Sequence, residues 1–179
     1  MTAIPVPEFS RPIRADQVAR HAQGVSISAD AQERAALAKR FGLAALDRLE
    51  ADYRLTEEES SILARGRIRA TLAQPCVATG TPVAEEVDSD FTLRFVVEDA
   101  SPAEGEELEV DAEDCDVIGY DGQMIDMGEA VAQTLALVMT PYPRAPDADA
   151  VLREAGVLSE EQASPFAALL ALKDKPGKG

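Results

Sequence analysis

The sequence predicts an α+β fold: one domain with an antiparallel β-sheet, a long hairpin, and helices segregated from the strands. Two segments, 62–72 and 83–97, alternate apolar and polar side chains on either side of a short turn. This pattern is typical of a hairpin with one solvated face. Segments with helix-capping residues begin at Asp30 and Asp126. We expect this single domain to cover residues 1–172 and the tail 173–179 to be disordered.

The composition narrows the class of protein. The chain has 179 residues, 46% of them hydrophobic, which is enough for one domain with a real core. Its net charge of −16 disfavours nucleic-acid binding by the overall field, so any RNA contact needs a local basic patch, whereas a basic protein partner is favoured. The sequence has no apolar run long enough to span a membrane and no signal-peptide pattern, so we expect a cytoplasmic protein without a membrane partner.

The N-terminal third predicts two short strands and a helix. The segments EFSRPIRA and GVSIS are extended in pattern, and the first can hold its proline only at a sheet edge. In the helix that follows, Asp30 is placed to cap the first turn, Glu33 can reciprocate, and Gly42 can end the helix in a left-handed conformation.

Three long strands are predicted next. Their inward faces are given by alternating positions: Leu49, Ala51, Tyr53 and Leu55; then Ile62, Ala64, Gly66, Ile68, Ala70 and Leu72; then Val87, Phe91, Leu93, Phe95 and Val97. The turn QPCVATGTP joins the last two strands into the hairpin.

The C-terminal half predicts a loop and helices. Between Glu98 and Asp116 there are ten acidic residues and no Lys or Arg, which predicts a solvated acidic loop over 98–116 with room for a short edge strand at LEV. After a YDGQ turn, Asp126 and Glu129 predict a capping box, and the two prolines of PYP end the helix. Short helices are expected in DADAVLREAG and SPFAALLALK.

Catalytic and metal motifs are weak or absent in the sequence. Cys76 and Cys115 are too few for a disulfide framework or a four-ligand zinc site, and His21 is the single histidine. A hydrolase using Cys76 and His21 is a minor alternative, and the acidic run DAEDCDVIGYDG lacks the glycine and final glutamate of a calcium loop. We therefore expect no enzymatic activity, no cofactor and no metal.

Arg65, Arg67 and Arg69 share one face of a predicted strand. Two interpretations stay open. The three arginines can form cross-strand pairs with Glu86, Asp88 and Asp90 on the other arm of the hairpin, or they can form a stripe that binds a partner's phosphates. Arg144, in the segment PYPRAP, is a further candidate for contact with the same partner.

Three segments together resemble the DUF177 family, also called YceD, the large ribosomal RNA subunit accumulation proteins. They are ATLAQPCVATGTPVAEEVDSDFTLRFV, MIDMGEAVAQTLALVMTPYPRAP and SPFAALLALK, and they occur in the family's order and spacing. The resemblance implies a non-catalytic role in accumulation of large-subunit ribosomal RNA and assembly of that subunit. From this role and the acidic charge, we expect the partner to be a precursor of the large subunit, engaged through ribosomal RNA or a basic ribosomal protein.

The resemblance also bears on Cys76. The family often has a Cys-x-x-Cys at this turn and further cysteines after the Pro-x-Pro, whereas this chain has Thr79 at the second position and no cysteine in PYPRAPDADA. The chain is similar to a cysteine-poor branch, and we expect Cys76 to be a small buried core residue rather than a zinc ligand. A second function remains open, an acidic chaperone-like module that shields a basic ribosomal client with residues 98–116.

Overall fold

The computed structural model describes residues 7–98 and 116–157. Two compact units divide the chain, the first formed by Met1–Gln74 with Ala84–Pro141 and the second by Pro75–Val83 with Tyr142–Gly179. The predicted α+β class is confirmed by the helices and the two sheets of the described residues. The predicted extent of one domain, residues 1–172, stays a prediction.

A small two-stranded sheet opens the first unit. Strand β1 (Pro12–Arg14) pairs antiparallel with β7 (Met124–Asp126), which joins the start of the described chain to the segment before the second helix. With one neighbour, β1 can carry Pro12, because a proline needs a strand position whose N–H is not part of a ladder. A 3₁₀ helix, Ala15–His21, leads from β1 to the main sheet.

The main sheet has five strands in the order β2-β3-β4-β5-β6. They are β2 (Val25–Ser28), β3 (Ala45–Glu57), β4 (Ser61–Pro75), β5 (Pro82–Val97) and β6 (Asp116–Tyr120). The β2–β3 and β3–β4 pairs are antiparallel, and the six residues between β4 and β5 are too few for a parallel crossover. The predicted long hairpin is therefore present.

The sheet departs from the prediction at its far edge. Strands β6 and β7 were both missed, and β6 lies parallel to β5, with Leu93 opposite Asp116 and Val97 opposite Tyr120. A parallel neighbour requires a connection of about a dozen residues or more, and the acidic segment provides that length of chain. The predicted acidic loop 98–116 lies outside the described residues apart from its two ends, as do the LEV strand, the SPFAALLALK helix and the tail 173–179.

Helix α1 (Ala31–Phe41) begins and ends as predicted. The Asp30 carboxylate accepts the Glu33 backbone N–H at 2.8 Å, and the Glu33 carboxylate accepts the Asp30 N–H at 2.8 Å. Gly42 then adopts φ 66°, the left-handed conformation that ends many helices. The helix buries Leu37 completely against the core.

The core of the first unit lies on one face of the main sheet. The predicted inward residues of β3, β4 and β5 are buried in it, with two exceptions. Gly66 is half-buried, and Val97 is 50% exposed because it stands at the last position of its strand. Gly66 shows why the alternation includes a glycine. A Cβ there would meet the Asp52 carbonyl oxygen at 2.4 Å and the Phe91 ring at 2.7 Å.

Helix α2 (Met127–Val138) closes this core and buries Val131 and Leu135. It ends before the two predicted prolines. In the second unit, α3 (Ala148–Glu154) confirms the short helix expected in DADAVLREAG.

Candidate functional site

The solvated side of the main sheet carries the candidate partner-binding residues. We call it the arginine face and define it by the outward side chains of β3, β4 and β5: Arg48, Glu50, Asp52, Arg54, Arg65, Arg67, Arg69, Glu86, Asp88 and Asp90. These positions alternate along each strand with the buried residues of the core, and the period of two places them on the opposite side. The face therefore holds both signs of charge on a rigid sheet.

Arg67 and Arg69 are engaged in ion pairs on this face. Arg67 Nε lies 2.5 Å from Asp88 Oδ1, and Nη1 lies 3.4 Å from Asp90 Oδ1. Arg69 Nη1 donates to Asp52 Oδ2 at 2.6 Å and reaches Asp88 only at 4.0 Å. Of the two interpretations of these arginines, cross-strand pairing describes their geometry, although Asp52 on β3 was not among the predicted partners.

The ion pairs shift the protonation equilibria in the expected direction. The hydrogen bond from Arg67 lowers the pKa of Asp88. The pKa of Asp52 is lowered first by the Ser26 hydroxyl and then by Arg69. Both effects favour the charged carboxylate, so the acidic partners stay ionised near neutral pH and compensate Arg67 and Arg69.

Two further outward arginines have carboxylate partners. Arg48 Nη2 lies 3.5 Å from Glu86 Oε2, which also accepts the Thr71 hydroxyl at 3.0 Å. Arg94, near the end of β5, pairs with Glu58.

Arg65 differs from its neighbours. It lies directly opposite Arg54 of β3, so two like charges face each other across the ladder. Within residues 7–98 and 116–157, neither of these two arginines forms an ion pair. The sequence did not indicate Arg54 as a candidate, because the β3–β4 register that pairs Arg54 with Arg65, and Glu50 with Arg69, is known only from the structure.

A shallow hollow of about 580 Å³ adjoins these two arginines. Its lining comes from three neighbouring strands and the turn before β2, namely Gln23, Gly24, Val25, Ser26, Asp52, Tyr53, Arg54, Arg65, Gly66 and Arg67. The hollow lies at the side of the arginine face next to β2, the edge strand, which is the shortest strand of the main sheet.

Arg144, the fourth candidate arginine, belongs to the second unit. Its guanidinium pairs with the Asp149 carboxylate on α3, and both side chains are largely solvent exposed. Whether any of Arg65, Arg67, Arg69 and Arg144 binds a partner stays a prediction.

The Asp126 side chain explains how helix α2 begins within the segment MIDMGE. Its carboxylate oxygen Oδ1 accepts the backbone N–H groups of Gly128 at 3.0 Å, Glu129 at 3.1 Å and Arg11 at 2.7 Å. Its other oxygen accepts the Ser10 hydroxyl at 2.5 Å. One side chain thus caps α2 and holds the chain segment before β1.

Gly128 is required by the same arrangement. A Cβ at this position would lie 2.5 Å from the Phe9 carbonyl oxygen and 2.8 Å from the Arg11 nitrogen. The expected capping box is wrong in its second half, because the Glu129 carboxylate binds Arg40 of α1 instead of the Asp126 N–H. The MIDMGE segment therefore contributes to the fold through its contacts with α1 and with the chain before β1.

Cys76 is buried, as predicted, and its sulfur is also hydrogen bonded. It is 3% exposed, and Sγ accepts the Ala145 backbone N–H at 3.3 Å. That bond, with the Thr79 hydroxyl, lowers the pKa of the thiol to about 7. Ala145 and Ala148 complete a cluster of small residues around it. We call these four residues, Cys76, Thr79, Ala145 and Ala148, the Cys76 cluster.

The remaining candidates from the sequence are His21 and the acidic run DAEDCDVIGYDG. His21 ends the 3₁₀ helix. In the acidic run first compared with a calcium loop, Asp116–Tyr120 form β6, and the Asp121 carboxylate accepts the backbone N–H groups of Gln123 and Met124. Over the described ranges, no group of three or more His, Cys, Asp or Glu side chains is arranged to hold a metal ion. No helix in this part of the chain is long and apolar enough to cross a bilayer.

Comparison with known proteins adds one finding. The chain matches the family model of the large ribosomal RNA subunit accumulation protein YceD over residues 64–173. No curated protein and no solved structure gave a significant match. The matched range begins in β4 and includes β5, β6, β7, α2 and α3.

Proposed function

Because the chain belongs to the YceD family of large ribosomal RNA subunit accumulation proteins, we propose that it is an assembly factor for the large ribosomal subunit. In this role it promotes accumulation of the large-subunit (23S) ribosomal RNA by binding a precursor of the subunit in the cytoplasm. The observation that carries the proposal is the family match, which covers residues 64–173 and includes both arms of the hairpin.

The proposed activity is binding, without catalysis or a cofactor. The contacts of the candidate residues support this proposal. Arg67 and Arg69 form ion pairs with carboxylates across the sheet, and the Asp126 carboxylate accepts backbone N–H groups. Cys76, the candidate nucleophile of the hydrolase alternative, is 3% exposed. Contacts of this kind position strands and helices, which supports a role in binding.

The partner is ribosomal RNA or a basic ribosomal protein within the precursor. In the RNA mode, arginines of the face, with Arg144 as a further candidate, contact phosphates. Ion pairs between exposed side chains contribute only about 0 to 1 kcal/mol each, so a phosphate can displace the carboxylates from Arg67 and Arg69 at little cost. The strongly negative remainder of the surface would face away from the RNA.

A second candidate function is favoured by the net charge of −16. An acidic chaperone-like module would shield a basic ribosomal protein before its incorporation, using the acidic residues 98–116. Attraction between the two surfaces would speed association at low salt. In this mode the arginine face is dispensable and the acidic segment is essential.

The proposed function is tested in a strain from which the gene has been deleted. The ratio of large-subunit to small-subunit ribosomal RNA is expected to fall and to recover when the wild-type gene is restored. An unchanged ratio would overturn the ribosomal proposal. Crosslinking in growing cells, followed by capture of the tagged protein, then separates the modes: predominant RNA supports the first, and a predominant basic protein supports the second.

A further inference from the structure

We propose that Arg54 and Arg65, with the hollow beside them, form a binding site for the phosphates of single-stranded RNA. The site deepens the proposed function and rests on it for its biological partner. It differs from a continuous stripe along β4, because it pairs one arginine of that strand with an arginine of β3.

The position of the two arginines is the first argument. They are direct register partners on antiparallel strands, which places their Cα atoms about 4.5 to 5.5 Å apart. Both are exposed, and both line the same hollow. Like charges directly opposite each other destabilise a strand pair, so the fold gains nothing from this placement.

The neighbouring pairs make the contrast clear. Arg69 forms an ion pair at 2.6 Å with Asp52, its diagonal neighbour on β3, and Arg67 forms one at 2.5 Å with Asp88. Opposite charge is therefore the rule along β4, and the Arg54–Arg65 position breaks it. Functional sites are among the places where a protein breaks such a local rule, and two adjacent positive charges attract an anion.

Asp52, the carboxylate among the residues that line the hollow, is bonded to other donors. Its Oδ1 accepts the Ser26 hydroxyl and its Oδ2 accepts Arg69 Nη1. Each of its oxygens thus has a donor other than Arg54 or Arg65. Arg67, which also lines the hollow, is held by Asp88 and Asp90. Over residues 7–98 and 116–157, no carboxylate pairs with Arg54 or Arg65, so their guanidinium donors are available to a ligand.

The chemistry of the donors favours phosphate. A guanidinium presents a planar fork of N–H groups that matches two oxygens of a phosphate. Two such forks on neighbouring strands suit a phosphodiester backbone, and Gln23, which also lines the hollow, carries a neutral amide donor. The hollow is open and shallow, as a passing strand requires. The overall charge of −16 repels RNA, so binding depends on contact and must weaken steeply with salt.

The test uses the full chain and a short fluorescein-labelled single-stranded RNA. The double variant Arg54→Ala/Arg65→Ala is compared with Arg14→Ala/Arg153→Ala, which removes the same charge from exposed positions elsewhere. We expect the first variant to bind at least about tenfold more weakly, because it cannot form the charge-assisted hydrogen bonds, and the control to bind as wild type does. The slope of log K against log salt should become shallower by about 0.7 for each phosphate that the variant no longer neutralises.

A stability measurement excludes misfolding as the cause. Since the two arginines repel each other, their removal should leave the melting temperature unchanged or raise it. Arg54→Lys/Arg65→Lys keeps the charge but loses the fork, and intermediate affinity is expected. A melting temperature of the alanine variant well below wild type, or RNA affinity equal to wild type, would overturn the site.

Two other probes identify the ligand class. Inorganic phosphate alone should bind weakly and compete with RNA, whereas poly-glutamate should not compete at equal charge. Competition by poly-glutamate as strong as by RNA would show a site for acidic proteins and would overturn the RNA assignment. The site and the proposed function fail separately: a normal ribosomal RNA ratio in the deletion strain refutes the function, and unchanged RNA affinity of the alanine variant refutes the site.

Discussion

The carboxylate of Glu129 on α2 receives both terminal nitrogens of Arg40 on α1, at 2.8 and 2.7 Å. Arg40 also reaches Glu8 at 3.0 Å, so one guanidinium joins two helices and the segment before β1. The Glu129 side chain is 20% exposed. This two-pronged pair is better shielded from solvent than the ion pairs of the arginine face.

The Arg40–Glu129 pair predicts a dependence of stability on acid pH. The hydrogen bonds from Arg40 lower the pKa of Glu129 below its ordinary value of 4.5. A lowered folded-state pKa stabilises the fold above the unfolded pKa, and this contribution is lost as the pH falls from 4.5 through the folded-state value. Glu129→Gln should cost about 1 kcal/mol at neutral pH and flatten the acid limb of the stability curve. Urea unfolding across pH measures both effects.

A matched control for that experiment is Asp16→Asn. Asp16 also has an arginine partner, Arg14, and its pKa is also lowered, but both side chains are more than 60% exposed. Its removal should change stability little, because exposed pairs are screened by solvent. Equal acid sensitivity of wild type and Glu129→Gln would contradict the role of the Arg40–Glu129 pair.

Asp126 predicts a larger loss of stability. Asp126→Ala removes the cap of α2 and leaves the Arg11 N–H and the Ser10 hydroxyl without their acceptor. Loss of a helix cap alone costs about 1 kcal/mol, and the further unsatisfied donors should bring the total to about 2 to 4 kcal/mol. Asp121→Ala is the control, because Asp121 accepts two backbone N–H groups only in an exposed turn. Chemical denaturation that ranks Asp121→Ala as the more damaging change would refute this assignment.

Gly66 predicts strain inside the sheet. In Gly66→Ala, the new methyl group would lie 2.4 Å from the Asp52 carbonyl oxygen and 2.7 Å from the Phe91 ring. Because strand backbone cannot move away without breaking its ladder, we expect a loss of about 1 to 3 kcal/mol. Gly80→Ala is a useful comparison, since its φ of 73° is unfavourable for alanine while nothing lies within 4 Å of the added carbon. Thermal unfolding should place Gly66→Ala below Gly80→Ala, and the reverse order would contradict the close approach.

The sequence predicts best where local rules decide the structure. The cap of α1 at Asp30 and Glu33 and its end at Gly42 depend on neighbours within one turn, and all three are confirmed. The alternation of β3, β4 and β5 likewise assigns the buried faces before any partner strand is known. Local patterns therefore account for most of the first unit.

What the sequence could not predict depends on contacts between distant residues. Glu129 was expected to cap its own helix, but Arg40 lies within reach only in the folded chain and offers a charged partner. Strand β6 was missed because its parallel pairing with β5 joins segments separated by a long acidic stretch. Arg54 was overlooked because a like-charged pair becomes visible only when the β3–β4 register is fixed.

The Cys76 cluster gives the last prediction. Cys76 and Thr79 are three residues apart, as are Ala145 and Ala148. Within the second unit, Cys76 packs with Ala145 and Ala148, and the Thr79 hydroxyl bonds its sulfur. The Cys76 sulfur already receives the Ala145 N–H at 3.3 Å. Two pairs with this spacing around one centre are the arrangement of a four-cysteine zinc site, in which each Zn–S bond is about 2.3 Å.

We therefore expect Thr79→Cys/Ala145→Cys/Ala148→Cys to bind one zinc ion tightly and to melt at a higher temperature with zinc than without it. Cobalt substitution should give the absorption bands of a tetrahedral thiolate site. The control places the new cysteine at Val77, which is 58% exposed, in place of Thr79, and should bind zinc more weakly. If the triple variant binds zinc no better than this control, the four positions do not surround a common centre, and Cys76 is only a buried residue of the turn.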